Sequence, residues 1–286
     1  MKNILVTGGT GFLGQHLVDS LDSKTTEITV LLHKNNPIKD PIHSAINYLF
    51  VDDLKGLTNS FDCILHLATS YGRTGETKEE VFDTNLKFGI EILDMATRTQ
   101  SRCFINFDTN LPDNTNDYST SKASFRDVVK KYSSDILKII NLRLESIYGP
   151  NKKGTDFSNA VIQSCLNNTC YLELSECQQI RDFIYYKDVI NCVKFIMDNL
   201  DKFSKYTSLQ VGTGKGVSLQ NFAELFKELS EASTEFKFGK VPYKDNEVML
   251  SVANIESLNR MGWFPKTTLE EGFKEIILET SYGRSN

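Results

Sequence analysis

The chain has 286 residues, enough to bury a substantial core in one large domain or two intimate ones. Hydrophobic residues at 40% and charged residues at 24% are an ordinary balance for a soluble globular protein. A formal net charge of -5 gives no general basic field for nucleic acid, and no apolar run approaches the length of a membrane span.

Residues 4–7 are a short apolar run, followed by glycines and an amphipathic stretch over 11–22. Residues 28–32 are rich in β-branched side chains and read as the second strand, 48–51 as the third and 63–68 as the fourth. Helical spacing of Val81, Phe82, Leu86, Ile90, Leu93 and Met95 marks a helix over 81–99. A fifth strand follows at 103–107, a helix at 121–132 and a sixth strand at 138–142. This alternation predicts a Rossmann-type, doubly wound parallel sheet with helices on both faces and right-handed crossovers.

After Tyr148-Gly149-Pro150 the rhythm loosens into helices over 157–166, 187–200, 219–230 and 255–261, separated by short strands and turns. There is no internal repeat, low-complexity segment or flexible linker, so this part is expected to pack onto the first. Residues 1–148, with returns near 184–212, are expected to form the doubly wound domain. Residues 149–183 and 213–286 are expected to form a smaller mixed α/β substrate domain. Six cysteines show no CxxC pair and no metal-like pairing with the four histidines, which suits buried, reduced thiols and no metal. The sequence opens directly on its first strand, so no signal peptide is expected and the cytoplasm is the expected location.

The first strand runs into Thr7-Gly8-Gly9-Thr10-Gly11-Phe12-Leu13-Gly14. A glycine turn between strand and helix lets backbone approach a pyrophosphate, and the helix N-terminus favours its charge. Gly8 and Gly11 belong in the turn, Phe12 and Leu13 open the helix, and Gly14 permits close packing of helix on strand. The spacing is TGxxGxxG and not GxGxxG. Leu31-Leu32-His33-Lys34-Asn35, at the end of the second strand, lacks the acid that would accept adenosine ribose hydroxyls. Lys34, with His33, suits a 2′-phosphate and therefore NADPH over NADH, although a solvated loop lysine is the plain alternative. Asp53 and Leu54, after the third strand, are placed at the adenine, with ordinary strand-end packing as the alternative. Leu67 and Ala68, ending the fourth strand, complete the cofactor set.

Tyr118 and Lys122 are four residues apart, hence one turn apart on one helix face. An ammonium beside a phenol stabilises phenolate and draws its pKa down from near 10. The same lysine can hold the nicotinamide ribose. Thr109, beyond the fifth strand with Asp108 as its neighbour, is the candidate that orients a carbonyl, against the alternative of a plain turn.

Together with Ile64-Leu-His-Leu-Ala68, Asn85, Leu142-Arg143, Tyr148-Gly149-Pro150, Arg181-Asp182-Phe183 and Val211-Gly212-Thr213-Gly214, these motifs resemble the extended short-chain dehydrogenase/reductase family of nucleotide-sugar enzymes. Ala68-Thr-Ser-Tyr-Gly72, Asn141-Leu-Arg-Leu-Glu145, Gln179-Ile-Arg-Asp-Phe-Ile184, Gly212-Thr-Gly-Lys-Gly-Val-Ser-Leu219 and Asp245-Asn-Glu-Val-Met-Leu-Ser-Val-Ala-Asn254 are similar to its CDP-abequose and CDP-paratose synthase branch. So is the short stretch from Thr109 to Tyr118.

The resemblance implies C4-keto reduction of a CDP-linked 3,6-dideoxy-4-keto sugar, hexose or heptose, for surface polysaccharide. The pro-S hydride of NADPH would pass to C4 while Tyr118 protonates the oxygen. Thr109 would steady the carbonyl, and Lys122 would tune Tyr118. Thr69, Ser70 and Tyr71 are implied at the sugar. Arg181 is implied at the diphosphate, its alternative being a salt bridge with Asp182 or another acid. Lys244 stands where the wider family often has an arginine, and meets phosphate as a point charge without the fork.

The same groups serve a 4-epimerase or 4-dehydrogenase with tightly held NAD, the alternative function. An intact Thr109, Tyr118 and Lys122 argues against a non-catalytic sensor or scaffold. The helices over 81–99 and 121–132 carry apolar faces that suit a homodimer contact, or burial within the monomer.

Overall fold

A computed structural model describes residues 1–33 and 46–283. In chain order the first part comprises β1 (Lys2–Thr7), α1 (Phe12–Ser20), β2 (Thr26–Leu32), β3 (Ile46–Phe50), β4 (Cys63–His66), α2 (Lys78–Phe82), α3 (Phe88–Arg98), β5 (Cys103–Thr109), α4 (Asp117–Lys131) and β6 (Lys138–Leu144). It continues through β7 (Ser146–Tyr148), α5 (Phe157–Leu166), β8 (Tyr171–Glu173), β9 (Ile180–Tyr185), α6 (Tyr186–Asp198), β10 (Tyr206–Val211), β11 (Gly216–Ser218), α7 (Leu219–Leu229), β12 (Glu235–Lys237), β13 (Leu250–Ser251), α8 (Glu256–Met261) and α9 (Leu269–Gly283).

By backbone proximity the chain divides into two compact units. One comprises Met1–Thr109, Asn116–Arg143 and Val193–Leu209; the other comprises Asn110–Thr115, Leu144–Cys192 and Gln210–Asn286.

The first unit is built on a seven-stranded sheet in the order β10-β6-β5-β4-β1-β2-β3. Its parallel pairing includes β1 with β2 and β4, β2 with β3, and β4 with β5. Apolar side chains fill its strands because both faces are covered: Ile4, Leu5, Val6, Ile64, Leu65, Phe104 and Ile105 have no solvent exposure. The order reverses between β1 and β4, so the crevice for a ligand falls at the carboxyl ends of those two strands. This is the Rossmann-like α/β fold that the alternation predicts.

Several boundaries differ from the sequence reading. The third strand starts at Ile46 and Val51 already opens a 3₁₀ turn, Val51–Gly56. The helix expected over 81–99 starts at Lys78, capped by Thr77 and Glu80, and passes through a π-helical turn at Asp83–Lys87. The helix expected from 121 begins at Asp117, which puts Tyr118 in its first turn.

The second unit holds a small sheet in which β9 pairs with β11, β13 and β7. Its core is aromatic, with Phe222 packed on Phe183, Tyr148 and Phe273. The long α9, absent from the sequence reading, starts where the Glu271 carboxylate accepts the Thr268 N–H and hydroxyl, each at 2.8 Å. Among the described residues no helix is long and apolar enough to cross a membrane.

Candidate active site

At the switch point, backbone meets backbone. Gly8 takes φ of +69°, and a Cβ there would sit 2.6 Å from the Ala68 nitrogen, so only glycine lets the end of β1 touch the end of β4. The Leu67 N–H donates to the Thr7 carbonyl at 3.1 Å and the Ala68 N–H to the Thr7 hydroxyl at 3.2 Å. A Cβ on Gly14 would overlap the Gly8 carbonyl, so α1 packs directly against the turn. Gly11 caps α1 without a side-chain bond, and no acid stands in the first turn with Phe12 and Leu13. The positive end of the helix is therefore uncompensated from within its own first turn, and the cradle fits the pyrophosphate of a dinucleotide.

Of the residues expected at the adenosine, His33 is exposed just beyond β2, while Lys34 lies outside the described residues. Asp53 is exposed in the 3₁₀ turn and accepts the Phe50 N–H at 3.1 Å, the bond that starts that turn. Leu54 is packed in the core.

Beside β4, the carboxyl end of β5 and the start of α4 bring Thr109, Tyr118 and Lys122 together. Asn116 accepts the Ser119 N–H at 2.9 Å and so fixes the first turn of α4, which carries Tyr118. Tyr118 is partly exposed, yet its phenol end is closely enclosed and hydrogen-bonds with the Thr109 side chain. Burial pushes the phenol well above its usual pKa; the neighbouring Tyr71 adds to the rise, and the Thr109 bond opposes it. The ammonium of Lys122 does not reverse this, contrary to the sequence expectation of a lowered phenol. Burial outweighs a charge whose donor is directed elsewhere: Lys122, 1% exposed, donates to the Phe107 carbonyl at 2.9 Å. Burial brings Lys122 itself down to about 8, against the opposing pull of Asp108.

His66 lies beneath this group with no exposure, 2.9 Å from the Thr7 hydroxyl through Nδ1. Burial, followed by the Lys122 charge, lowers its pKa to about 3 and keeps it neutral. Thr69 is half-buried after β4. Ser70 exchanges 2.8 Å bonds with Asn85, whose Nδ2 also reaches Ser121 at 2.9 Å. The π-helical turn thus carries a fully buried Asn85 that ties the loop after β4 to α4. Tyr71 packs on Tyr118 with ring centroids 4.9 Å apart.

In the second unit, Arg181 on β9 donates to Glu247 at 3.1 Å, so its partner is not Asp182. Asp182 is buried and accepts the Thr213 and Gly214 N–H groups and the Thr213 hydroxyl. Lys244 is exposed three residues before Glu247.

Sequence reasoning named Asp108 only as the neighbour of Thr109 and missed that its carboxylate binds Arg126, which lies one turn beyond Lys122 on α4. It also missed the buried Glu145, which accepts the Asn110 side-chain N–H and the Ser251 hydroxyl, the latter at 3.0 Å on both oxygens. No cluster of metal-ligating side chains occurs among the described residues.

A glycine cradle at the switch point, with a phenol, an ammonium and a hydroxyl at the adjoining strand end, defines a dinucleotide-dependent oxidoreductase. The model of the NAD dependent epimerase/dehydratase family matches residues 4–212, and the chain belongs to that family; it is an NAD(P)-dependent enzyme. CDP-abequose synthase of Salmonella typhimurium is 31% identical over 294 residues, covering 96% of this chain and 97% of that protein. The fold is similar to UDP-glucose 4-epimerase of Thermotoga maritima, solved with UDP-glucose, at a TM-score of 0.84 and 20% identity over 99% of this chain and 100% of that one. It is also similar to the Thermus thermophilus UDP-glucose 4-epimerase in complex with NAD, at a TM-score of 0.82 and 20% identity over 98% and 99% of the two chains.

Proposed function

We propose that the protein is an NADPH-dependent C4-ketoreductase acting on a CDP-linked 3,6-dideoxy-4-keto sugar, hexose or heptose, in the making of a surface polysaccharide. The observation that carries the reaction type is a Tyr118 phenol kept protonated by burial and hydrogen-bonded to Thr109. A proton donor is what reduction of a ketone needs. The substrate class rests on the 31% identity with CDP-abequose synthase over nearly the whole of both chains.

Bound NADPH supplies the hydride to C4. As the carbonyl oxygen gains charge, Thr109 hydrogen-bonds to it and Tyr118 gives up its proton, leaving a phenolate. The buried ammonium of Lys122 balances that phenolate and holds the nicotinamide ribose. Gly8, Gly11, Phe12 and Leu13 receive the pyrophosphate, with Leu67 and Ala68 alongside. Thr69, Ser70 and Tyr71 receive the sugar, and Arg181, with Lys244, its diphosphate. Arg181 must then exchange its carboxylate partner Glu247 for phosphate oxygens. A homodimer through the α2–α3 segment and α4, and a cytoplasmic location, complete this reading.

The test is nicotinamide absorbance with CDP-4-keto-3,6-dideoxyglucose, offering NADPH and NADH separately. Oxidation faster with NADPH is expected. Tyr118→Phe should bind NADPH as the wild type does and lose about 10²- to 10⁴-fold in kcat, the span of general acid catalysis. Near-normal turnover would remove Tyr118 from its role. No oxidation, with NAD retained through purification, would point to a 4-epimerase or 4-dehydrogenase.

A further inference from the structure

Behind the proton donor lies a buried ion pair that makes no direct part of the chemistry. The Asp108 carboxylate is wholly enclosed, and the Arg126 side chain is 16% exposed. Asp108 Oδ2 accepts Arg126 Nε at 2.5 Å and Asn141 Nδ2 at 2.9 Å. Its Oδ1 accepts the Thr109 N–H at 2.7 Å and Arg126 Nη2 at 3.3 Å. Asn141 is held in turn by Asn106 at 2.6 Å. Desolvation makes such pairs poor sources of stability, since well-packed apolar side chains serve as well.

Its place in the chain gives it another use. Asp108 is flanked by Phe107, whose carbonyl holds Lys122 Nζ, and by Thr109, whose side chain meets Tyr118. One carboxylate thus pins the strand end that carries both contacts. We propose that Asp108, with Arg126, is the positioning pair of the proton-transfer site, fixing Thr109 and supplying the counter-charge of Lys122. The proposal rests on the roles given above to Thr109, Tyr118 and Lys122.

The charged and titratable groups around this site come from several elements. Asp108 stands on β5 and His66, neutral, on β4. Tyr71 and Arg73 act on Tyr118 from the loop after β4, and Arg126 lies on α4 itself. At the surface Lys78 on α2 pairs with Asp117 on α4, and Asp83 pairs with Lys87 in the π-helical turn. With Asp108 neutralised, Arg126 would repel Lys122 without that carboxylate to offset it. With Arg126 neutralised, Asp108 would attract Lys122 unopposed. The two single variants must therefore move Lys122 in opposite directions, which loss of packing does not do.

The experiment follows the Lys122 εCH₂ resonance against pH in ¹³C-lysine protein, assigned by its absence in Lys122→Arg, without sugar or cofactor. Relative to a wild-type midpoint near 8, Asp108→Asn should titrate about half a pH unit or more lower. Arg126→Gln should titrate higher, since it removes a cation one helical turn from Lys122. Asp108→Asn/Arg126→Gln should return toward the wild type. Asp108→Asn should also lose about tenfold or more in kcat with little change in substrate KM, since it disturbs Thr109 and not substrate binding.

Shifts of the same sign, or none, would overturn the proposal, as would an unchanged kcat. Should Asp108→Asn fail to fold, Arg126→Gln decides alone, and a midpoint that does not rise overturns it. Because the titration involves no turnover, it stands even if the wild type reduces no CDP-linked ketone and the reading of the substrate falls.

Discussion

Lys122 is the residue at which stability and the proposed chemistry oppose each other. Its ammonium is enclosed, and burial brings its pKa down from 10.5 to about 8. The unfolded chain keeps the ordinary value, so between these limits it binds a proton that the folded protein does not. Unfolding free energy therefore rises as pH climbs from 8 toward 10.5. Below 8 the buried charge costs the fold about 3 kcal/mol, an order-of-magnitude figure from about 1.4 kcal/mol per pKa unit. Lys122→Met, close in length and apolar, should remove that cost while leaving the Phe107 carbonyl without this donor, a loss of about 1 kcal/mol. The variant should be more stable than the wild type at pH 7 by about 1–2 kcal/mol and inactive as a reductase. Urea unfolding at pH 7 and pH 9.5 checks it: the wild type should gain on the variant as pH rises. A constant difference would mean that Lys122 titrates outside this window.

At the scale of the element, the decisive feature is the first turn of α4. Asn116 accepts the Ser119 N–H at 2.9 Å, while the Ser119 hydroxyl accepts the Asn116 N–H at 3.1 Å, a reciprocal box that closes over Tyr118. Asn116→Ala should cost about 1 kcal/mol, the usual worth of an N-cap. It should also lower kcat more than it weakens NADPH binding, because it frays Tyr118 and leaves Lys122 a turn deeper. Asn116→Asp, which caps equally well, should restore both; chemical denaturation and steady-state kinetics on the two variants would show it. The apolar spacing of Phe125 and Val129 made the body of this helix legible in the sequence, but the polar run Asp117-Tyr-Ser-Thr120 hid its start. The same reason concealed the first turn of α2. The beginning of α9 was written in Thr268-Leu-Glu-Glu271, a capping box that hydrophobic spacing alone does not reveal. The π-helical turn at Asp83–Lys87 has no sequence signature of its own; it exists because Asn85 is anchored to Ser70 and Ser121, contacts far from it in sequence.

For the whole molecule, alternating strands and helices made the parallel sheet legible, and the glycine turn marked its switch point. Motif spacing likewise reached Tyr118 and Lys122, whereas Asp108–Arg126 is a long-range pairing that only the folded backbone assembles. The choice between NADPH and NADH hangs on the end of β2, where Lys34 lies outside the described residues, so it passes to a measurement on the intact protein. A ligand that binds only the folded state stabilises it by RT ln(1 + [L]/Kd), about 2.7 kcal/mol at a hundredfold excess over Kd. For a chain of this size that is a rise of several degrees in Tm. A reductase must exchange its nicotinamide at every turnover, whereas an epimerase returns the hydride within one bound cofactor. Protein purified without added nicotinamide should therefore respond to NADPH, and respond less to NADH at the same concentration. Equal shifts would deny Lys34 and His33 any role in selecting a 2′-phosphate. No shift, with NAD released on denaturing the protein, would mean that the site was never vacated, and the chemistry would then be epimerisation or tightly coupled dehydrogenation at the same three side chains.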